Sequence, residues 1–411
     1  MREKRTAAEE VGAIEVDFNN LALAEQVLER QGDHSRAVKQ HLRQYATLDA
    51  GDMGLILQML LPINDALLDV ADQALDLSAR VFDEGASRMG QTRESYVSAE
   101  REAHDRIGAV ARQLGLNPSP YAPPASPTLG APLNGAPSRY GEPDGNLFNQ
   151  AFWDGYSAGE WAQETGSRAG DRVRDGLSGP RDVTEACDVR SFLVTPHADD
   201  PEIENIRWSA GVIFGGVDWI FEKLFGYSLL EEITKPFTGN WTRMKEGAFA
   251  WTHTSDALNG LSQNAAGLLP SMASWTGKGS EAFLVAATAT SQAHGVLSGP
   301  AGTVSTMLKG LAIAAKEAAK LILKILRKIQ DRLLILAAEA AIPIAGWVAA
   351  AVTAGISLVD LTQDVLKAYK YVNIVYDVVS GMVSGISNLS DSAFRMADLA
   401  EGLARGAAAR V

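Results

Sequence analysis

Apolar side chains recur through most of this sequence at alternating steps of three and four residues, and no stretch alternates with the period of two that a half-buried strand needs. A chain patterned this way must bury helical seams against other helices. The expected fold class is therefore all-α: two long helical hairpins, modules of the four-helix-bundle type, joined by a Pro/Gly-rich linker and accompanied by an Ala-rich hydrophobic helical segment.

The first hairpin is expected over residues 16–112. Leu21, Ala24, Val27, Leu28, Val38, Leu42 and Tyr45 mark one amphipathic helix, with a polar gap around Gln31 to Arg36. Thr47-Leu48-Asp49-Ala50-Gly51-Asp52-Met53-Gly54 reads as a turn. Leu60, Ile63, Leu67, Val70, Ala74, Leu77 and Val81 then set the seam of a second arm that extends past Tyr96, with Pro62 tolerated in its first turn.

Residues 113–204 form the linker with short helices. Eight of the sixteen prolines fall between Asn117 and Pro143, which rules out a regular element there and predicts extended backbone. The second helical domain is expected over 205–400. It begins with a greasy, aromatic helix at 206–230 and continues with a helix from Trp241 that closes at Pro270. A turn at Ser274-Trp275-Thr276-Gly277-Lys278-Gly279-Ser280 follows, with Ser280 as a cap, and a further arm is broken at Gly299-Pro300. Val304–Arg332 pairs an apolar face with a basic one carrying Lys316, Lys320, Lys324, Arg327, Lys328 and Arg332. The hydrophobic run Leu333–Val359 holds a single charge, Glu339, and is long enough to span a bilayer, although Glu339 and Pro343 oppose insertion. Residues 401–411 read as a flexible tail.

The charge balance removes several functions. Fifty acidic against 37 basic residues give a net charge of −13, which repels a phosphate backbone and argues against nucleic acid as a partner. The single cysteine, Cys187, excludes an internal disulfide and a multi-cysteine metal site. His34 and His41 lie seven residues apart, too far for two ligands of one metal, and read as solvent-facing. Gly277-Lys278-Gly279-Ser280 lacks the first glycine of a phosphate loop, since Met272 stands in its place. No metal site, cofactor site or catalytic constellation is expected, and the chain is read as non-enzymatic. Acidic residues at Glu9, Glu10 and Glu15 occupy the stretch where a Sec signal places its apolar core.

Two short motifs remain. Trp275-x-Gly277 sits in a turn between amphipathic arms with Phe283 just beyond it, and two roles are open to its indole: exposed for contact with a groove on another helix, or an ordinary core tryptophan at a loop. Tyr96 and Glu100 stand at i and i+4 on the second arm of the first hairpin, so phenol and carboxylate share one face.

The segment WTGKGSEAF between two helices resembles the signature of the Trp-x-Gly superfamily of substrates of type VII (ESX) secretion systems in actinobacteria and related Gram-positive bacteria. Tyr96–Glu100 resembles that system's Tyr-x-x-x-Asp/Glu export motif, and the region from Val217 onward is similar to the N-terminal export modules of actinobacterial WxG toxins. In the family's heterodimers one partner brings the Trp-x-Gly turn and the other the Tyr motif, and the two meet at one end of a four-helix bundle. The resemblance implies a secretion substrate or secretion-associated protein, recognised through Trp275, Gly277, Phe283, Tyr96 and Glu100. It implies a WxG-type helical hairpin and a secretion ATPase as partners. It also implies export to the medium or cell surface by a Sec-independent route, from a cytoplasmic precursor. A membrane and a second copy of the chain are further candidate partners. The alternative function is a membrane-inserting or pore-forming protein that uses 333–359 with 206–230.

Overall fold

The computed structural model describes residues 16–49, 58–138, 140–141, 183–198, 241–272, 274–339 and 363–381. Within them the chain is all-α: α1 spans Phe18–Ala46, α2 Leu61–Gln113, α3 Trp241–Ser271 and α4 Lys278–Glu339. A short 3-10 turn lies at Val189–Phe192, and a further helix, α5, covers 363–381. The candidate segment 206–230, most of 333–359 and the tail 401–411 lie outside the described residues.

Local chemistry explains the helix ends. The Asp17 carboxylate accepts from the backbone amides of Asn19 and Asn20 at 2.9 and 3.2 Å, which satisfies two of the orphan donors that open α1. Pro62 occupies the first turn of α2, where no amide proton is required.

The helices α1 and α2 run antiparallel, in a register marked by Glu25–Arg93 at 3.1 Å, Lys39–Asp76 at 2.7 Å and Arg43–Asp72 at 2.9 Å. Such surface pairs add little stability singly, and their value here is to mark the alignment. Of the expected seam of α2, Leu60, Leu67 and Val70 are buried, whereas Ile63, Ala74, Leu77 and Val81 are only half-buried; Leu68, Leu75, Phe82 and Met89, spaced by sevens, carry the buried face along the helix. The helical period is thus as expected, and beyond Val70 the seam is rotated by about one residue.

The second hairpin, α3 with α4, packs along α1 through α3. Most of α3 is buried, with a half-buried stripe through Arg243, Glu246, Thr252, Asn259 and Gln263, and its small residues permit close packing: a Cβ added at Gly247 would stand 3.5 Å from the backbone of Ala46. The helix α4 continues through Gly299-Pro300 without the expected break, and Ser280 lies inside it instead of capping it. At about 1.5 Å per residue, α2 and α4 are far longer than α1 and α3. Their surplus turns project at opposite ends of the bundle: 97–113 beyond the α3–α4 turn, and the second half of α4 beyond the far end. There α5 folds back along α4, with Val375 and Val379 joining the common core.

The polar gap of α1 is the largest departure from expectation. Gln31, His34, Ser35 and His41 are all buried. Gln31 donates to Glu185 Oε1 at 2.7 Å and accepts from Asn264 Nδ2 at 2.8 Å. Asn264 in turn receives the Cys187 amide at 2.8 Å and donates to the Cys187 carbonyl at 2.9 Å. Cys187 is therefore buried and not part of an open polar loop. The segment 183–198 is drawn onto the α1–α3 groove by these bonds, and Gly260 makes room for it, since a Cβ there would meet Val189 at 3.1 Å and the Cys187 sulfur at 3.3 Å. The proline-rich stretch holds no regular element but is tied down: Gln26 donates to the Pro127 carbonyl at 2.8 Å and accepts from the Leu129 amide at 3.0 Å.

Candidate functional site

At the end of the bundle where α3 turns into α4, the chain reverses over Met272–Gly277. The Trp275 amide donates to the Met272 carbonyl at 3.0 Å, and Gly277, at φ 109°, takes a left-handed conformation that side chains rarely adopt. The Glu281 amide donates to the Gly277 carbonyl at 3.2 Å, which starts α4. From the first hairpin, Asn20 Nδ2 donates to the Ser271 carbonyl at 3.2 Å and ties the turn to the start of α1.

This geometry brings Trp275 to Tyr96. The indole Nε1–H donates to the Tyr96 hydroxyl at 3.3 Å, across 179 residues of sequence. Phe283 lies on the other side, with ring centroids 6.0 Å apart and planes at 44°, a tilted pairing that favours contact of ring edge with face. Of the two roles open to the indole the structure shows the buried one: Trp275 is only 5% exposed. The reason is tertiary, because Tyr96, Phe283 and Gly279 close around it. What remains open at the turn is Ser274, Thr276, Gly277 and Lys278.

Glu100 is one turn beyond Tyr96 and exposed, and it does not reach Trp275 through any described contact. It accepts from the Tyr121 hydroxyl at 3.4 Å. The Tyr121 ring also stacks edge-on to His104 at 5.6 Å and lies 5.4 Å from the Arg101 guanidinium carbon, so the returning proline-rich strand covers one side of the projecting α2 turns.

Sequence reasoning missed Gly279. A Cβ there would lie 3.0 Å from Trp275 Cζ2, so the indole rests directly on this glycine. The two glycines should respond differently. Gly277→Ala is expected to cost about 1–3 kcal/mol from backbone strain alone. Gly279→Ala, whose backbone is already helical, should displace the indole and shift the near-ultraviolet dichroism of tryptophan more than it lowers Tm. Chemical denaturation and dichroism of both variants check this.

A second polar cluster lies between the hairpins nearer the other end. His41 Nε2 and His253 Nδ1 are 3.2 Å apart, Tyr140 donates to Asp256 at 2.5 Å, and Lys309 donates to Thr252 Oγ1 at 2.8 Å. Burial, with the neighbouring His41 and Lys309 charges adding to it, pushes His253 down to about 3; burial pushes His41 to about 4. Lys309 is held down to about 8 by burial, and Asp256 is pushed up by the same cause. His34 and His294 are likewise lowered to about 4, mainly by burial. Neither His34 nor His41 faces solvent as the spacing suggested, because the partner hairpin and the segment 183–198 cover that face of α1.

Among the described residues no group of three His, Cys, Asp or Glu side chains could hold a metal ion, and no helix is long and apolar enough to cross a membrane. No family model, curated protein or solved structure matches this chain.

Proposed function

We propose that this chain is a non-enzymatic substrate of a type VII secretion system, or a protein that accompanies such a substrate, and that both halves of its recognition surface come from the one chain. The observation that supports this reading is the 3.3 Å hydrogen bond from Trp275 to Tyr96. Two motifs that resemble the two halves of an export signal, far apart in sequence, meet at one end of a bundle of four antiparallel helices. The α1–α2 and α3–α4 hairpins then stand to each other as the two partners of a heterodimer do.

In this reading Trp275 and Phe283 shape the surface and do not touch the secretion ATPase themselves. The Trp275 indole fixes Tyr96 and the turn, and the ATPase reads the exposed rim of Thr276, Gly277 and Lys278 together with Glu100. Recognition surfaces of this kind concentrate their energy in a few central groups. Expression in an actinobacterium with an active type VII system, followed by fractionation into cytosol, envelope and medium, tests the proposal. Glu100→Gln combined with Lys278→Glu should leave Tm unchanged and reduce export about tenfold or more. Export at the wild-type level by that variant, or export that persists when the secretion ATPase is inactivated, overturns the reading.

A further inference from the structure

The end of the molecule opposite the Trp275 turn carries a different surface. Past the point where α3 begins, the described helix beside α4 is α5, and the two form a two-helix arm. Asp364 of α5 is buried at its far end and gathers three cations: Lys328 Nζ at 3.0 Å, Arg332 Nη1 at 2.7 Å and Lys367 Nζ at 3.7 Å. One carboxylate facing three cations leaves a local positive excess.

The same sign continues along the arm. On α4 the exposed positions after Ala315 include Lys324, Arg327 and Lys328, with Glu317 and Asp331 as the exposed acids on the same stretch. Lys320 is held to Glu317 at 3.3 Å. On α5, Lys367 and Lys370 are exposed and Asp377 is the acid facing out. This is a basic face on a chain whose net charge is −13. Because charges more than about 10 Å apart are largely screened at physiological salt, the acidic remainder of the molecule does not cancel it.

Apolar side chains stand among these cations. Leu321 is 36% exposed, Leu366 62% and Ile374 43%. A nucleic-acid groove calls for cations and stacking rings, and an acidic protein patch calls for cations and polar groups. Cations interleaved with exposed aliphatic side chains match a surface whose outer layer is anionic and whose next layer is hydrocarbon.

We propose that the α4–α5 arm docks on the surface of a bilayer rich in anionic phospholipid, lying against its headgroups without spanning it. The arm is about 70 Å along α4 from Trp275, so the docking surface and the turn end are accessible at the same time. This inference stands apart from the export reading and does not depend on it.

Flotation of the full chain with vesicles of phosphatidylcholine alone, and of phosphatidylcholine with phosphatidylglycerol, tests it. Binding is expected only to the anionic vesicles and should be released by high salt. Neutralising three exposed cations together, Lys324→Gln, Arg327→Gln and Lys370→Gln, should weaken binding on the order of 100-fold while helix content and Tm stay as in the wild type. Arg106→Gln with Arg112→Gln, on the projecting end of α2, should leave binding unchanged. Several outcomes overturn the proposal: no binding to either vesicle, equal binding to both, binding that survives high salt as an inserted protein would, or tighter binding to duplex DNA than to anionic vesicles at the same salt. If the triple variant fails to fold, the salt and lipid dependence of the wild-type protein decides alone.

Discussion

Between pH 6.5 and about 4.5 the bundle is expected to lose stability steeply, and four buried histidines set the slope. His34, His41, His253 and His294 are held neutral in the fold, at about 4, 4, 3 and 4, chiefly because burial disfavours the charged ring. In the unfolded chain each titrates near 6.5. Across the interval between these values the unfolded state binds more protons than the folded state. Stability therefore rises with pH there, is fully present above about 6.5 and is lost as the pH falls.

Each histidine contributes up to about 1.4 kcal/mol per pH unit, so four acting together approach roughly 5 kcal/mol per unit, a large part of a domain's usual 5–15 kcal/mol. The contacts leave no easy route to accommodate the proton. His41 and His253 share one hydrogen between facing nitrogens 3.2 Å apart, and a second proton would set two N–H groups against each other. His294 Nε2 meets the Ser78 hydroxyl at 2.6 Å, and that hydroxyl also bonds Ser35. Asp256, whose carboxyl is raised, works the other way and moderates the loss at the acid end. Urea denaturation at pH 7.5 and pH 5.0 should show the midpoint falling sharply at the lower pH, and His294→Gln should flatten the dependence by about one histidine's share. Equal midpoints at the two pH values would rule out buried neutral histidines as the cause.

Replacing Trp275 with alanine is the second large effect. The side chain is enclosed by Tyr96, Phe283 and Gly279, so truncation should cost about 3–5 kcal/mol and loosen the junction of the two hairpins. Loss of export by that variant would therefore say little about recognition. Trp275→Phe separates the two roles. It keeps most of the ring packing and removes the N–H that Tyr96 accepts, at a cost of about 1 kcal/mol. Tyr96→Phe removes the same hydrogen bond from the other side. If the bond positions the turn for an ATPase, both conservative variants should fold and be exported poorly. If both are exported like the wild type, the bond is structural and the recognition surface lies elsewhere.

The periodicity of the apolar residues determined by itself that the chain is helical, where α1 and α2 run and that residues 114–138 hold no regular element, because seam spacing and proline chemistry act locally. It also picked out Trp275, Gly277 and Tyr96 by residue type and spacing. Four things were decided only in three dimensions. The phase of the α2 seam beyond Val70, Leu75 and Phe82 in place of Ala74 and Val81, depends on which helix lies opposite. Local chemistry predicts a break at Pro300, yet α4 runs through it as one continuous helix. The polar stretch of α1 looked like a solvent face, but Glu185, Cys187 and Asn264, remote in sequence, supply the hydrogen bonds that make its burial affordable. The turn left Trp275 free to be exposed or buried, and its enclosure comes in part from a tyrosine on another hairpin. In each case a local pattern states what a residue can do, while the partner that selects one outcome is brought to it only by the packing of distant segments.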